Sequence, residues 1–260
     1  MPGKISIMGG LDKDGNPENI QRLDIKAGEV LAVVGPTGSG KTQLISDIEQ
    51  YADGETLTGR SILINDLPVH QYPQHRDFRY LIAEVSQNMN FVIDMSIEDF
   101  LFMHTQVRAI ENPQKTITEV LNITNELSGE PVSPTDNLTR LSGGQSRALM
   151  VADVVVISNA PVVLIDEIEN AGIDRLKALE ILSGKGKIVL VVSHDPLLML
   201  MAQQRVVMKN GGMDKLYQTS PEEKEVLEDL MKVQKKITYL RDDLRKGKRI
   251  KNSQYIIRNG

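Results

Sequence analysis

Gly35-Pro36-Thr37-Gly38-Ser39-Gly40-Lys41-Thr42 lies between a β-branched run, residues 30–34, and a stretch at helical spacing, residues 42–50. Glycines at three of the eight places let the backbone curl, so that successive N–H groups face phosphate oxygens. The helix beginning near Lys41 adds the positive end of its dipole. In such a cradle Lys41 neutralises the β- and γ-phosphates, and the Thr42 hydroxyl is a ligand for Mg²⁺. The stretch therefore predicts a nucleoside triphosphate site on an α/β fold.

Two stretches downstream sharpen this. Val162-Val163-Leu164-Ile165-Asp166-Glu167 reads as a buried strand with two carboxylates at its C-terminal end, where ligands sit in open α/β sheets. Asp166 suits a Mg²⁺ shell, and Glu167 is placed to act as general base toward an attacking water. Between the two sites, Leu141-Ser142-Gly143-Gly144-Gln145 reads as a capped helix start, with two glycines that admit close approach by an anion. By itself that pentapeptide signals only a capped helix.

Together and in this order, the three motifs resemble the ATP-binding cassette (ABC) ATPase family over about residues 4–213. The resemblance implies a P-loop NTPase of ABC type: a mostly parallel sheet core, an N-terminal antiparallel β unit and an inserted helical subdomain. It also gives roles to two further residues. Gln87 matches the glutamine that joins the core to the helical subdomain and contacts Mg²⁺ and water. His194 matches the switch histidine at the γ-phosphate. The implied nucleotide-binding set is Gly35, Pro36, Thr37, Gly38, Ser39, Gly40, Lys41, Thr42 and Gln43, with Ser142, Gly143, Gly144 and Gln145 acting on the nucleotide of a partner cassette. Catalysis falls to Glu167, His194 and Gln87, and Mg²⁺ to Thr42, Gln87 and Asp166. Each complete ATP site is then shared by two cassettes placed head to tail, most simply two copies of this chain.

Four departures from the family stand out. No Phe, Tyr or Trp precedes Tyr51, although the family usually stacks adenine on an aromatic of the N-terminal β unit. Gln43 occupies the place of a small hydroxyl residue that commonly touches the α-phosphate. The segment from Ile168 to Asp174 is one residue longer than the usual D-loop, and the crossover from Asp174 to His194 is short.

Along the chain, strands are expected at residues 4–8, 20–25, 30–34, 61–64, 81–85, 162–165 and 188–192. Helices are expected at 42–50, within 96–127 with a break at Asn112-Pro113, at 143–156 and at about 175–182. Strands alternating with helices mean a parallel sheet with right-handed crossovers. Residues 1–218 make the ATPase domain, with the helical subdomain at about 88–141. Residues 219–260 make a C-terminal helix and a basic tail. In that helix Ser220, Pro221 and Glu223 form a start signal. Val226, Leu230, Val233, Ile237, Leu240 and Leu244 form a stripe expected to pack on the chain's own core.

Composition narrows the function classes. With no cysteine there is neither a disulfide framework nor a thiolate metal site. No run of 18 apolar residues occurs and the start is not a signal peptide, so a cytoplasmic protein is expected, peripheral to a membrane at most. The net charge of −5 divides into +7 over residues 235–260 and −12 over the rest. An acidic body argues against nucleic-acid binding by the core, and the basic cluster from Arg245 to Lys251 reads as a solvated tail. Two jobs stay open. One is the nucleotide-binding subunit of a membrane transporter whose spanning subunits are separate chains. It is favoured by Met89, Phe91, Met95, Phe100, Phe102 and Met103 in the helical subdomain. The other is a soluble ATPase that remodels a protein, metallocofactor or nucleic-acid assembly.

Overall fold

A computed structural model of the chain describes residues 3–72, 81–86, 89–166 and 173–250. Gln87 and Glu167 lie outside the described residues, as do residues 168–172 of the segment that follows. The chain divides into two compact units, Met1–Gln218 and Thr219–Gly260.

The larger unit is built on two sheets. β1 (Lys4–Met8), β2 (Arg22–Lys26), β4 (Ser61–Ile64) and β5 (Leu67–Pro68) form an antiparallel sheet in the order β2-β1-β4-β5. The second sheet adds β3 (Val30–Val34), β6 (Ile82–Ser86), β7 (Val162–Asp166), β8 (Ile188–Val192), β9 (Gln204–Lys209) and β10 (Gly212–Gln218). Its order is β10-β9-β3-β8-β7-β6. All its pairings are parallel except the β9–β10 hairpin. The expected strand at 20–25 starts two residues later, because residues 9–21 are held by turns and backbone bonds such as Gly9 N–H to Gln21 O at 2.9 Å. The β9–β10 hairpin has no counterpart among the expected strands, because Met, Lys and Gln interrupt its apolar alternation.

Side chains of the six-stranded sheet alternate between two cores. Leu31, Val33, Leu164 and Leu190 face the β1–β2–β4 sheet and α1 (Lys41–Glu49). Ala32, Val163, Ile165 and Val191 face the helices of the other side. Those helices are α2 (Ile97–Val107), α3 (Pro113–Leu127), α4 (Gly143–Val156), α5 (Arg175–Gly184) and α6 (Pro196–Met201). Every residue of β8 is buried, each contributing about 1.5–3 kcal/mol for its side chain. The break at Asn112-Pro113 falls between α2 and α3, where Asn112 Oδ1 accepts from Lys115 N–H and proline takes the first helical turn.

Two buried cations, Arg60 and Lys187, are part of this architecture, together with the buried carboxylates Glu18 and Asp47. Arg60, fully buried, donates from Nε to Glu18 Oε1 at 3.1 Å, from Nη1 to Asp47 Oδ2 at 2.8 Å and from Nη2 to Gly211 O at 2.7 Å. Thr58 Oγ1 also donates to Asp47 Oδ2, at 2.8 Å. Lys187, at the start of β8, donates to Ser158 O at 2.8 Å and Ala160 O at 2.7 Å. Burial, and after it the positive charge of Arg108, pushes the Lys187 ammonium down to about 8. Its folded value lies below its unfolded one, so the unfolded chain holds the extra proton between about pH 8 and 10.5. Stability from this group is therefore lowest below pH 8 and rises through that window. Thermal melts should show the parent gaining on Lys187→Met as pH climbs from 8 to 10. A pH-independent difference would exclude the linkage.

The smaller unit contains α7 (Pro221–Arg245). Ser220 Oγ accepts from Glu223 N–H at 3.2 Å, and Glu223 Oε2 accepts from Ser220 N–H at 3.0 Å. The stripe residues Val226, Leu230, Val233, Ile237, Leu240 and Leu244 all lie on this helix. A helix of 25 residues with charge on most sides is stabilised by its cap and by its own length.

Candidate functional site

Strand register brings the candidate residues to one edge. Val33 of β3 stands opposite Val192 of β8, Val192 opposite Asp166 of β7, and Asp166 opposite Ser86 of β6. The four strands thus end in one row. The glycine-rich loop leaves β3 there, and exposed His194 follows β8 by two residues. Asp166 closes β7, and Ser86 is the residue before Gln87. This is the carboxyl edge of a parallel sheet, the usual place for a ligand in such folds.

The loop itself is built for an anion. Gly40 precedes α1 with φ of 103°, and a Cβ there would stand 2.7 Å from Gly211 Cα, so only glycine fits between loop and β9–β10 turn. Gly211 N–H donates to Ser39 O at 2.9 Å and locks that approach. The first turn of α1 has no side-chain cap and no acidic residue, which leaves its N–H groups for a ligand. Ser39 Oγ is buried without a hydrogen-bond partner among the described residues. Lys41 Nζ rests on Gly35 O at 2.8 Å and Pro36 O at 3.1 Å. Uncapped amides, a hydroxyl without a partner among the described residues and an ammonium resting on loop carbonyls fit a phosphate chain. The Thr42 hydroxyl and the Asp166 carboxylate are hard oxygen donors, the class that Mg²⁺ takes. Partial burial, then the Glu84 and Asp166 carboxylates, raise the Glu49 carboxyl above its usual range, so acidic charge gathers beside α1.

Ser142 caps α4 in accord with its sequence. Its Oγ accepts from Gln145 N–H at 3.3 Å, and Gln145 Oε1 accepts from Ser142 N–H at 2.9 Å. Among the described residues, no hydrogen bond or ion pair joins residues 142–145 to residues 35–43. Gln43 does not turn toward the loop either: its Nε2 donates to Asp47 Oδ1 at 3.0 Å. Asp174, at the end of the expected D-loop, caps α5 by accepting from Lys177 N–H at 3.1 Å. Asp195, next to His194, pairs with Arg175 at 2.5 Å.

Sequence reasoning misses three contributors, Lys13, Asp47 and Arg60. Lys13 donates from Nζ to Gly38 O at 2.7 Å, although its segment reads only as a turn. Asp47 and Arg60 look like ordinary charges in the sequence. The available signal is Asp47 itself, a carboxylate among the buried Leu44, Ile45 and Ile48 of α1.

Comparisons with known proteins bear on the family and the fold. A family described as ABC transporter matches residues 19–170. An ABC transporter ATP-binding protein of Methanocaldococcus jannaschii is 51% identical over 251 residues, covering 95% of this chain and 94% of the relative. The ATP-dependent lipid A-core flippase of Ralstonia nicotianae is 32% identical over 203 residues; the match covers 73% of this chain but only 33% of the flippase. Among solved structures, CbiO1 of Clostridium perfringens, part of an ABC transporter complex, superposes with a TM-score of 0.62 at 21% identity, over 90% of this chain and 94% of its own. A dimeric ATP-binding cassette in a post-hydrolysis state with ADP and Pi also gives 0.62, at 20% identity, over 83% of this chain and 99% of its own.

Proposed function

This chain belongs to the ABC transporter family of ATP-binding proteins, and from that premise we propose that it binds and hydrolyses MgATP as one half of a cassette dimer that powers a membrane transporter. The observation that carries the proposal is the uncapped, glycine-built loop at the end of β3, with Lys41 resting on its carbonyls and Ser39 Oγ left without a partner among the described residues.

In this reading the N–H groups of residues 35–42 hold the phosphates, and Lys41 exchanges the Gly35 and Pro36 carbonyls for phosphate oxygens. Thr42, Asp166 and Gln87 would hold Mg²⁺, whose charge would offset that of the phosphates when it is bound. Glu167 takes a proton from the attacking water, whose oxygen bonds to the γ-phosphorus as the bond to the β-phosphate oxygen breaks. ADP departs with that electron pair, and His194 steadies the γ-phosphate. Residues 142–145 of the second cassette close the site, in keeping with their lack of bonds to the chain's own loop. A second identical chain is the simplest partner.

Coupling to a membrane partner is supported by α2. Phe102, Met103 and Val107 are exposed there, with Val92 and Ile93 exposed in the preceding segment, while Phe91, Met95 and Phe100 pack on the core. Five large apolar side chains exposed on one helix and the segment before it favour a docking surface there. In this reading other polypeptides supply the spanning helices and this chain sits at the cytoplasmic face; no helix among the described residues is long and apolar enough to cross a membrane.

Lys41→Ala tests the ATPase reading. Loss of an ammonium that meets the phosphates should weaken ATP binding by roughly 10- to 100-fold in calorimetry, and unchanged affinity would exclude the loop as cradle. For the coupling, the chain should sediment with membranes of its host and co-purify in fixed ratio with a membrane-spanning protein. Recovery only with soluble assemblies would favour the remodelling ATPase.

A further inference from the structure

The phosphate loop holds two lysine ammonium groups, and only one belongs to the motif. Lys41 Nζ rests on Gly35 O and Pro36 O, and Lys13 Nζ rests on Gly38 O at 2.7 Å. Lys13 comes from the turn that bridges Leu11 and Pro17, and that turn is stiffened to present it. Asp12 Oδ1 accepts from the N–H groups of Asp14 and Asn16, both at 2.9 Å. Lys13 N–H donates to Asn210 O at 2.9 Å, and Asn210 Nδ2 donates to Asp14 Oδ2 at 2.7 Å. The lysine stem then crosses Gly211, where a Cβ would stand 2.8 Å from Lys13 Cγ. Gly211 is the residue whose N–H is bonded to Ser39 O. Turn, hairpin and phosphate loop are thus one hydrogen-bonded unit with the ammonium at its crest.

An exposed ammonium on a single carbonyl adds little stability. Two other features leave the nucleotide short of ligands on this side. The Gln43 amide is engaged by Asp47, and no aromatic precedes Tyr51 to stack on a base.

We propose that Lys13 is a nucleotide-binding residue: its ammonium leaves Gly38 O for the phosphate oxygens of the bound nucleotide and supplies by charge the anchoring that an aromatic would supply by stacking. The proposal rests on the reading of residues 35–42 as a phosphate cradle. Its consequence is that affinity depends on the phosphates and on salt, and hardly on the base.

Calorimetry of ATP and GTP with the full chain tests it, comparing the parent with Lys13→Arg, Lys13→Gln and Lys13→Met at low and high ionic strength. Lys13→Met and Lys13→Gln should each weaken both nucleotides by about tenfold and flatten the salt dependence, while Lys13→Arg keeps near-parental affinity. The glutamine variant retains a donor for Gly38 O, so parental binding by it would reduce Lys13 to a structural tie and overturn the proposal. Parental binding by Lys13→Met, or a loss confined to ATP, would overturn it as well. A parent that binds neither nucleotide, or Lys41→Ala that binds both normally, would instead remove the cradle reading beneath it.

Discussion

Glu167→Gln should bind ATP as the parent does and hydrolyse it about 10²–10⁴ times more slowly. Glutamine keeps the size and the hydrogen-bonding reach of glutamate but has no carboxylate to take the proton of the attacking water. With cleavage blocked and binding intact, two cassettes should stay closed around two nucleotides. Size-exclusion chromatography with ATP should show the variant moving from monomer to dimer, and dilution into ADP should reverse the shift. Parental turnover by this variant would mean that another group is the base. A slow variant that never dimerises would separate the catalytic role of Glu167 from the shared-site arrangement.

Arg60→Met should lower stability by about 3–5 kcal/mol, because it strands two buried carboxylates. Glu18 and Asp47 are, with Arg60, fully enclosed, and each loses its cation in the variant. For a chain of this size the expected fall in melting temperature is roughly 6–20 °C. The same substitution combined with Glu18→Gln and Asp47→Asn should recover much of that loss, since the cost lies in unpaired charge rather than in missing packing. No recovery would point to packing around the guanidinium instead. Arg60 also donates to Gly211 O, and Gly211 N–H holds Ser39 O. The single variant should therefore bind ATP more weakly at temperatures where it is still folded.

The parallel core was legible because its strands are continuous apolar runs. Residues 30–34, 162–165 and 188–192 read as strands buried on both faces of a parallel sheet. The phosphate loop and the Ser142 cap were legible because local backbone geometry dictates glycine and serine there. The β9–β10 hairpin was not, since Gln204, Lys209, Lys215 and Gln218 make it look like surface. Its pairing is decided by β3, far away in sequence. Lys13 and Arg60 were hidden for the same reason: a charge tells nothing of its partner, and theirs are 25 and 42 or fewer residues distant, except for Gly211.

The strand order has a consequence for birth on the ribosome. β3 carries the phosphate loop, yet its neighbours on both sides are β8 and β9, so the last of them is finished about 175 residues after β3 itself. At synthesis rates of about 5–20 residues per second, that is a wait of roughly 9–35 s. During this interval an apolar strand with two open edges is attached to a loop of exposed amides. The antiparallel sheet, all of whose strands lie within the first 68 residues, is complete long before and offers β3 a provisional cover through Leu31 and Val33. Packing on that sheet would cover one face of β3, while its two edges wait for β8 and β9.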